Sequence, residues 1–144
     1  MAATLAHHAD RENALPAESR RHALFLRASA FVRERAGEPD LSPAAIAAAH
    51  GISPRYLHRV FQQHGTTVSG YVKRLRLDRC RRDLADPGLG HLPVHAVGAR
   101  WGFPRAAEFS RAFRADTGMP PGEYRSLVQR SAVVPAGDRE RTDP

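Results

Sequence analysis

The chain has 144 residues, enough for one compact domain or two small subdomains, which excludes a large catalytic domain alongside them. Its 22 basic residues exceed its 15 acidic residues, and the net charge of +7 favours a polyanionic partner. The single cysteine, Cys80, excludes an internal disulfide and a cysteine-based zinc site, and the lack of an apolar run of roughly 18 residues predicts a cytoplasmic protein with no membrane partner.

The first predicted helix follows an amino-terminal arm. Residues 1–17 mix alanine, histidine and charged residues without sustained periodicity, so we expect a flexible arm. Apolar residues then recur at helical spacing from Leu24 to Val32, and Gly37 and Pro39 mark the end of the helix. This helix opens a first subdomain, which we place at residues 18–66.

Two short helices complete the first subdomain. Serine followed by proline occurs at positions 42–43 and again at 53–54, which places an N-cap residue before a proline at the first helical position. Gly51 supplies a turn between the two helices. In the second helix, Leu57, Val60 and Phe61 share the face that we expect to be buried, and polar side chains occupy the opposite arc.

A long linker helix is predicted over residues 67–86. Its apolar residues form one set in the first half, from Val68 to Leu75, and a second set on another side, from Leu77 to Leu84. A helix that packs on one core has one apolar stripe, so two stripes predict that each end packs on a different subdomain. Most of the other positions are basic, and we interpret each of these side chains as solvated or paired with a nearby aspartate.

A second subdomain is predicted over residues 87–130. After a flexible segment at 88–91, a short helix covers 93–100, in which Gly98 costs about 1 kcal/mol relative to alanine and predicts a softer subdomain. Gly102 supplies a turn, Pro104 sets the φ angle for the next helix, and Phe109 begins its apolar stripe. Gly118 suits the end of that helix, and a last helix reaches residue 130, ahead of a disordered tail at 131–144.

The turn and the helix after it occur twice, about 51 residues apart. The segments GISP at 51–54 and LHRVF at 57–61 parallel GFP at 102–104 and FSRAF at 109–113. Two copies are too few for a solenoid, so the self-similarity indicates two related subdomains. The sequence therefore predicts an all-α fold of about seven helices, with two helix-turn-helix subdomains joined by the long linker helix.

Residues 101–125 carry the strongest similarity to a known family. The segments WGF at 101–103 and FSRAFR at 109–114, followed by Gly118, Pro121, Tyr124 and Arg125, resemble the end of the DNA-binding domain of the AraC/XylS family of bacterial transcription regulators. The resemblance covers about residues 24–125. It implies tandem helix-turn-helix units, double-stranded DNA and RNA polymerase as partners, and activation as the commoner outcome. Many members carry an amino-terminal effector domain, which is absent from these 144 residues.

Candidate DNA contacts follow from the chemistry of base recognition, because arginine bonds guanine bidentately, glutamine suits adenine, and histidine donates or accepts. The first recognition helix presents Arg55, His58, Arg59 and Gln62. The candidates of the second are Arg105, Ala107, Glu108, Ser110, Arg111 and Arg114. Alanine occupies positions 106 and 107, where family members often carry polar readers, although its methyl group can contact thymine. We therefore expect sequence discrimination to come mainly from the first unit.

An enzyme is the main alternative from a different class. The chain has no glycine-rich phosphate loop, HExxH motif or nucleophile elbow, so we expect no catalytic residues, cofactor or metal. His91 and His95 stand four residues apart without a clustered carboxylate or thiol, and we interpret them as surface residues. Two further alternatives stay open, which are a module that binds RNA polymerase without reading DNA and a DNA-binding fragment of a larger effector-sensing regulator.

Overall fold

The fold is all-α, as predicted. The computed structural model describes residues 16–133, and this part of the chain contains seven α-helices, one short 3₁₀ helix and no strand. The helices are α1 (Ala17–Arg35), α2 (Pro43–Ala49), α3 (Pro54–Gln62), α4 (Val68–Ala85), α5 (Val94–Arg100), α6 (Ala106–Thr117) and α7 (Pro121–Val133), and the 3₁₀ helix (Pro87–Leu89) lies between α4 and α5.

Two compact units divide the described residues. The first unit comprises residues 16–35 and 41–72, and the second comprises residues 36–40 and 73–133. Each unit contains one complete helix-turn-helix, formed by α2 and α3 in the first and by α5 and α6 in the second. The long helix α4 is continuous through the boundary and supplies residues to both units.

The first unit packs aliphatic side chains around the buried ring of Phe61, which also meets the rings of Phe25 and Tyr71 edge-on at 5.0 and 5.5 Å. Its buried hydrophobic side chains come from all four helices and are Leu24, Ala28, Val32, Leu41, Ile46, Ala47, Leu57, Val60, Phe61, Val68 and Val72. Each fully buried large side chain contributes about 1.5–3 kcal/mol of transfer free energy. Because α3 supplies three of these residues, its orientation in the unit is fixed by its apolar face.

The second unit has an aromatic core built around α6. The ring of Phe109 lies 5.5 Å from that of Phe103 and 5.8 Å from that of Phe113, and Phe113 meets Tyr124 of α7 edge-on at 5.3 Å. Such edge-to-face and tilted pairs add about 0.5–1.5 kcal/mol each beyond their buried area. The aliphatic side of this core comes from α4 and α5, through Leu77, Cys80, Leu84 and Val97.

The two apolar sets predicted on α4 are both buried. Val68 and Val72 lie in the first unit, and Leu77, Cys80 and Leu84 lie in the second. Burial raises the pKa of the Cys80 thiol to about 12, and the nearby charge of Asp83 acts in the same direction. The thiol is therefore neutral at physiological pH and acts as a packing residue.

Three predicted boundaries need correction. The first helix begins at Ala17, inside the expected arm, because the Pro16 carbonyl accepts a hydrogen bond from the Arg20 amide at 3.0 Å. The segment after α4 is ordered into a 3₁₀ helix, which the Asp86 carboxylate caps through the Gly88 amide at 2.9 Å. The last helix continues three residues beyond position 130, since no glycine or proline follows before Pro135. The remaining tail and residues 1–15 lie outside the described residues.

The expectation that Gly98 softens the second subdomain was wrong about the role of this residue. A Cβ atom at position 98 would lie 2.5 Å from Cγ of Phe109, which is closer than van der Waals contact permits. Gly98 is buried, and its missing side chain makes room for the phenyl ring. The close packing of α5 on α6 therefore requires glycine at this position.

Candidate nucleic-acid interface

The helix α3 begins as the sequence predicts. Ser53 precedes it in an extended conformation, its Oγ accepts a hydrogen bond from the Tyr56 amide at 3.1 Å, and Pro54 occupies the first turn. This N-cap satisfies one of the free amides at the helix start. Because one face of α3 is buried in the first unit, the opposite face is left exposed to solvent.

All four candidate contacts of α3 lie on that exposed face. They are Arg55, His58, Arg59 and Gln62. Since they recur every three or four residues, they form a stripe along the helix about 10 Å long at 1.5 Å per residue. The stripe combines guanidinium, imidazole and amide groups, which are the donors and acceptors suited to guanine and adenine edges.

The helix α6 likewise buries one face and exposes the other. Its buried side chains are Phe109, Ala112 and Phe113. Its exposed candidate contacts are Ala107, Glu108, Ser110, Arg111 and Arg114. The exposed face therefore carries two arginines, a glutamate and a serine, and it differs from the face of α3 in having alanine at 107 and no histidine or glutamine.

The start of α6 differs from the prediction. Pro104 does not begin the helix, because Arg105 adopts an extended conformation at the N-cap and the first helical residue is Ala106. The sequence explains the shift, since the repeat spacing is 51 residues from Gly51 to Gly102 but 52 residues from Leu57 to Phe109. The second turn thus contains one additional residue, and the candidate contact at 105 precedes the helix.

The two turns share a hydrogen-bonding frame. In the first unit the Ile52 amide donates to the Ala47 carbonyl at 3.0 Å, and in the second the Phe103 amide donates to the Gly98 carbonyl at 2.9 Å. A glycine with positive φ precedes each of these amides, at +64° for position 51 and +91° for position 102. L-residues with side chains rarely adopt such angles, so glycine is required in both turns.

The arginines on the two exposed faces are not engaged elsewhere. Within residues 16–133, no hydrogen bond or ion pair involves the guanidinium groups at positions 55, 59, 105, 111 and 114. Arginines on neighbouring elements are paired instead: Arg81 contacts Asp78 and Asp116, and Arg100 lies 3.3 Å from Asp83. The donors on the exposed faces therefore remain available to an anionic ligand.

Sequence reasoning missed two residues whose side chains make long-range contacts within the second unit. The Arg76 guanidinium donates to the carbonyls of Ala36 and Glu38 at 2.9 and 2.6 Å, and burial lowers its pKa. Asp83 accepts from the Trp101 indole at 2.7 Å. Both contacts join residues at least 18 positions apart, so no local sequence signal could have revealed them.

The described residues contain neither a clustered metal site nor a membrane-spanning helix. Among residues 16–133, no group of three histidine, cysteine, aspartate or glutamate side chains is arranged to hold a metal ion. No helix in this range is both long enough and apolar enough to cross a membrane.

Comparison with known proteins decides the family. A family model described as a helix-turn-helix domain matches residues 46–126, more than half of the chain. A solved transcriptional regulator from Chromobacterium violaceum, described as containing an AraC-type DNA-binding domain, matches with a TM-score of 0.67 and 30% identity over 74% of this chain and 93% of that one. The chain belongs to the AraC-type helix-turn-helix family. The resemblance identified from the sequence is thereby confirmed.

Curated relatives extend the family assignment. The HTH-type transcriptional regulator YpdC of Escherichia coli is 35% identical over 100 residues, which are 69% of this chain and 34% of YpdC. The transcriptional activator NphR of Rhodococcus is 34% identical over 99 residues, which are 69% of this chain and 29% of NphR. The AraC-type chain described here thus spans about a third of the length of these relatives.

Proposed function

We propose that this AraC-type chain regulates transcription by binding double-stranded DNA at specific sequences, with α3 and α6 as its recognition helices. The main support is the repeated helix-turn-helix, in which each second helix buries an apolar face and exposes arginines without partners in the described residues. Helices of this kind bind in the major groove. Two of them on one chain would occupy successive grooves, about 34 Å or ten base pairs apart.

The two helices would divide the work of binding. Arg55, His58, Arg59 and Gln62 would read base edges, because their side chains offer bidentate and directional hydrogen bonds. In the second unit, Arg111 and Arg114 would hold phosphates, and Ala107 would contact a thymine methyl group. Glu108 would accept a hydrogen bond from cytosine N4, since a carboxylate beside a phosphate is repelled. Sequence discrimination would then come mainly from α3.

Activation is the proposed outcome of binding. It is supported by the relative NphR, which is named a transcriptional activator. We accordingly propose RNA polymerase as a protein partner, the cytoplasm as the location, and a regulatory role without a catalytic step. If the chain is part of a longer regulator, as the lengths of its relatives suggest, an effector domain would control the same DNA-binding surface.

The test is duplex binding measured by fluorescence anisotropy between 50 and 200 mM salt. We expect affinity to fall steeply with salt, because each phosphate contact releases counterions. The double variant Arg55→Ala, Arg59→Ala should weaken binding at least tenfold. The matched control Arg33→Ala, Arg130→Ala removes the same charge from exposed sites outside α3 and α6 and should change affinity only slightly. Equal losses in the two double variants would contradict the proposed surface.

A further inference from the structure

Two histidines outside the candidate DNA contacts lie together in the first unit. His22 of α1 and His64, which follows α3, have stacked rings with centroids 5.6 Å apart, and Nδ1 of His22 lies 3.4 Å from Nε2 of His64. Both side chains are exposed. They line a surface cleft with a volume of about 480 Å³, together with the acidic Glu18 and the amide of Gln63.

His64 is held in the orientation of a metal ligand. Its Nδ1 lies 3.1 Å from the Val60 carbonyl, so Nδ1 carries the proton and Nε2 presents its lone pair toward His22. The ring also stacks on Phe25, with centroids 3.7 Å apart and planes within 5°. Metal-binding imidazoles commonly donate their second ring N–H to a backbone carbonyl in this way, which fixes both the tautomer and the ring plane.

The separation of the two nitrogens matches joint coordination of one ion. Two imidazole nitrogens bound to tetrahedral zinc at 2.0–2.1 Å lie about 3.3–3.4 Å from each other. In the metal-free pair, His22 Nδ1–H donates to His64 Nε2. The Nε2–H tautomer of His22 instead presents a lone pair at Nδ1, so a metal can replace the shared proton while both rings stay neutral.

We propose that His22 and His64 form a binding site for a divalent transition-metal ion of the zinc type. Imidazole nitrogen suits such ions better than magnesium or calcium, which prefer oxygen ligands. Glu18 lies one helical turn before His22 and lines the same cleft, where its negative charge favours a cation. Water completes the coordination. The bound ion would link α1 to the chain just after α3 and stabilise the first unit.

Thermal unfolding of the full chain with ZnCl₂ tests this site, and EDTA reverses any effect of metal. At zinc ten times its dissociation constant, we expect Tm to rise by about 5 °C. His22→Ala and His64→Phe should each abolish the rise, and the phenyl ring of the second variant preserves the stack on Phe25. Two double variants serve as controls and should keep the rise, His91→Ala with His95→Ala and His7→Ala with His8→Ala.

An NMR titration of the imidazole ¹H–¹³C signals identifies the ligands directly. Zinc should shift the signals of His22 and His64 at one equivalent and leave those of His91 and His95 unchanged. The site is refuted by unchanged His22 signals, by a Tm rise that survives His22→Ala, or by a rise that only the control variants lose. Because His22 is exposed, its alanine variant decides the question even if His64→Phe unfolds. Neither measurement uses DNA, so the result is independent of the proposed function.

Discussion

The two helix-turn-helix units share a turn but start their helices differently. In the first unit, serine hydroxyls at positions 42 and 53 cap α2 and α3, each followed by proline. In the second unit, α5 and α6 begin after Pro93 and Arg105, and neither has a side-chain cap. The first unit thus fixes the starts of these two helices by side-chain hydrogen bonds that the corresponding helices of the second unit lack.

At two matched positions, the cores differ in how side-chain volume is distributed: the second unit has a smaller residue at one position and a larger residue at the other. Ala47 and Leu57 of the first unit correspond to Gly98 and Phe109 of the second. The larger ring at 109 occupies the space that a side chain at 98 would need. The same turn can therefore be built around different residue pairs, provided that the total volume between the two helices is conserved.

The largest expected difference between the units is in DNA recognition. Arg55→Ala should lower the affinity ratio between a selected duplex and its scrambled form about 10- to 100-fold, because a bidentate arginine–guanine contact is worth about 1–3 kcal/mol. Arg111→Ala should weaken binding to both duplexes alike. Competition binding measures the affinity ratio for each variant. An equal loss of discrimination in the two variants would contradict the assignment of sequence readout to α3.

The next largest expected effect is on stability, and it comes from side-chain packing at the second turn. Gly98→Ala should lower the free energy of unfolding by about 1–3 kcal/mol, since the overlap with Phe109 outweighs the gain in helix propensity. Adding Phe109→Leu recreates the residue pair of the first unit and should recover much of this loss. Urea unfolding of the single and double variants measures the coupling. Purely additive effects would mean that the two positions do not compensate each other.

Alkaline pH should distinguish the two cores, because Cys80 belongs to the second. Its native pKa of about 12 lies above the unfolded value of about 8.5, so only the unfolded chain loses the thiol proton between these values. Stability is therefore retained below about pH 8.5 and falls as pH rises, by about 1–2 kcal/mol at pH 10. Urea unfolding under reducing conditions should show a smaller loss between pH 8 and 10 for Cys80→Ala. If the Cys80→Ala variant and the wild-type chain lose the same stability between pH 8 and 10, the effect of Cys80 burial is refuted.

Helix capping gives the smallest effect, and its sign should differ between the units. Ser53→Ala should cost about 1 kcal/mol, because the Tyr56 amide loses its partner. Arg105→Ser should gain up to about 1 kcal/mol by adding the missing cap to α6. Ser110→Ala, at an exposed position within α6, controls for the serine-to-alanine change. Urea unfolding midpoints measure these changes in stability. A lower midpoint for Arg105→Ser would contradict the expected gain.

Local patterns were sufficient for the elements but not for their contacts. Helical periodicity, the serine–proline pairs and the glycines at 51, 102 and 118 predicted the helix order and turns, because caps and left-handed φ angles depend on adjacent residues. The fit of Gly98 against Phe109 and the anchoring of Arg76 were not predictable, since their partners are distant in sequence.

The candidate sites show the same limit. Helical spacing was enough to place the α3 and α6 residues on exposed faces, because the buried positions of an amphipathic helix define the opposite side. The histidine pair was missed because 42 residues separate its members. His91 and His95 are close in sequence and were interpreted as surface residues, whereas the packing of α1 against the end of α3 brings His22 and His64 together.

Selection of bound duplexes from a randomised pool of about 25 base pairs, at two salt concentrations, distinguishes sequence readout by α3 from non-specific binding. We expect a motif with two blocks about one helical turn apart, and we expect the more strongly specified block to become random when the Arg55→Ala variant is used. Recovery of no motif, with binding that disappears at the higher salt, would instead identify a non-specific basic domain and contradict sequence readout by α3.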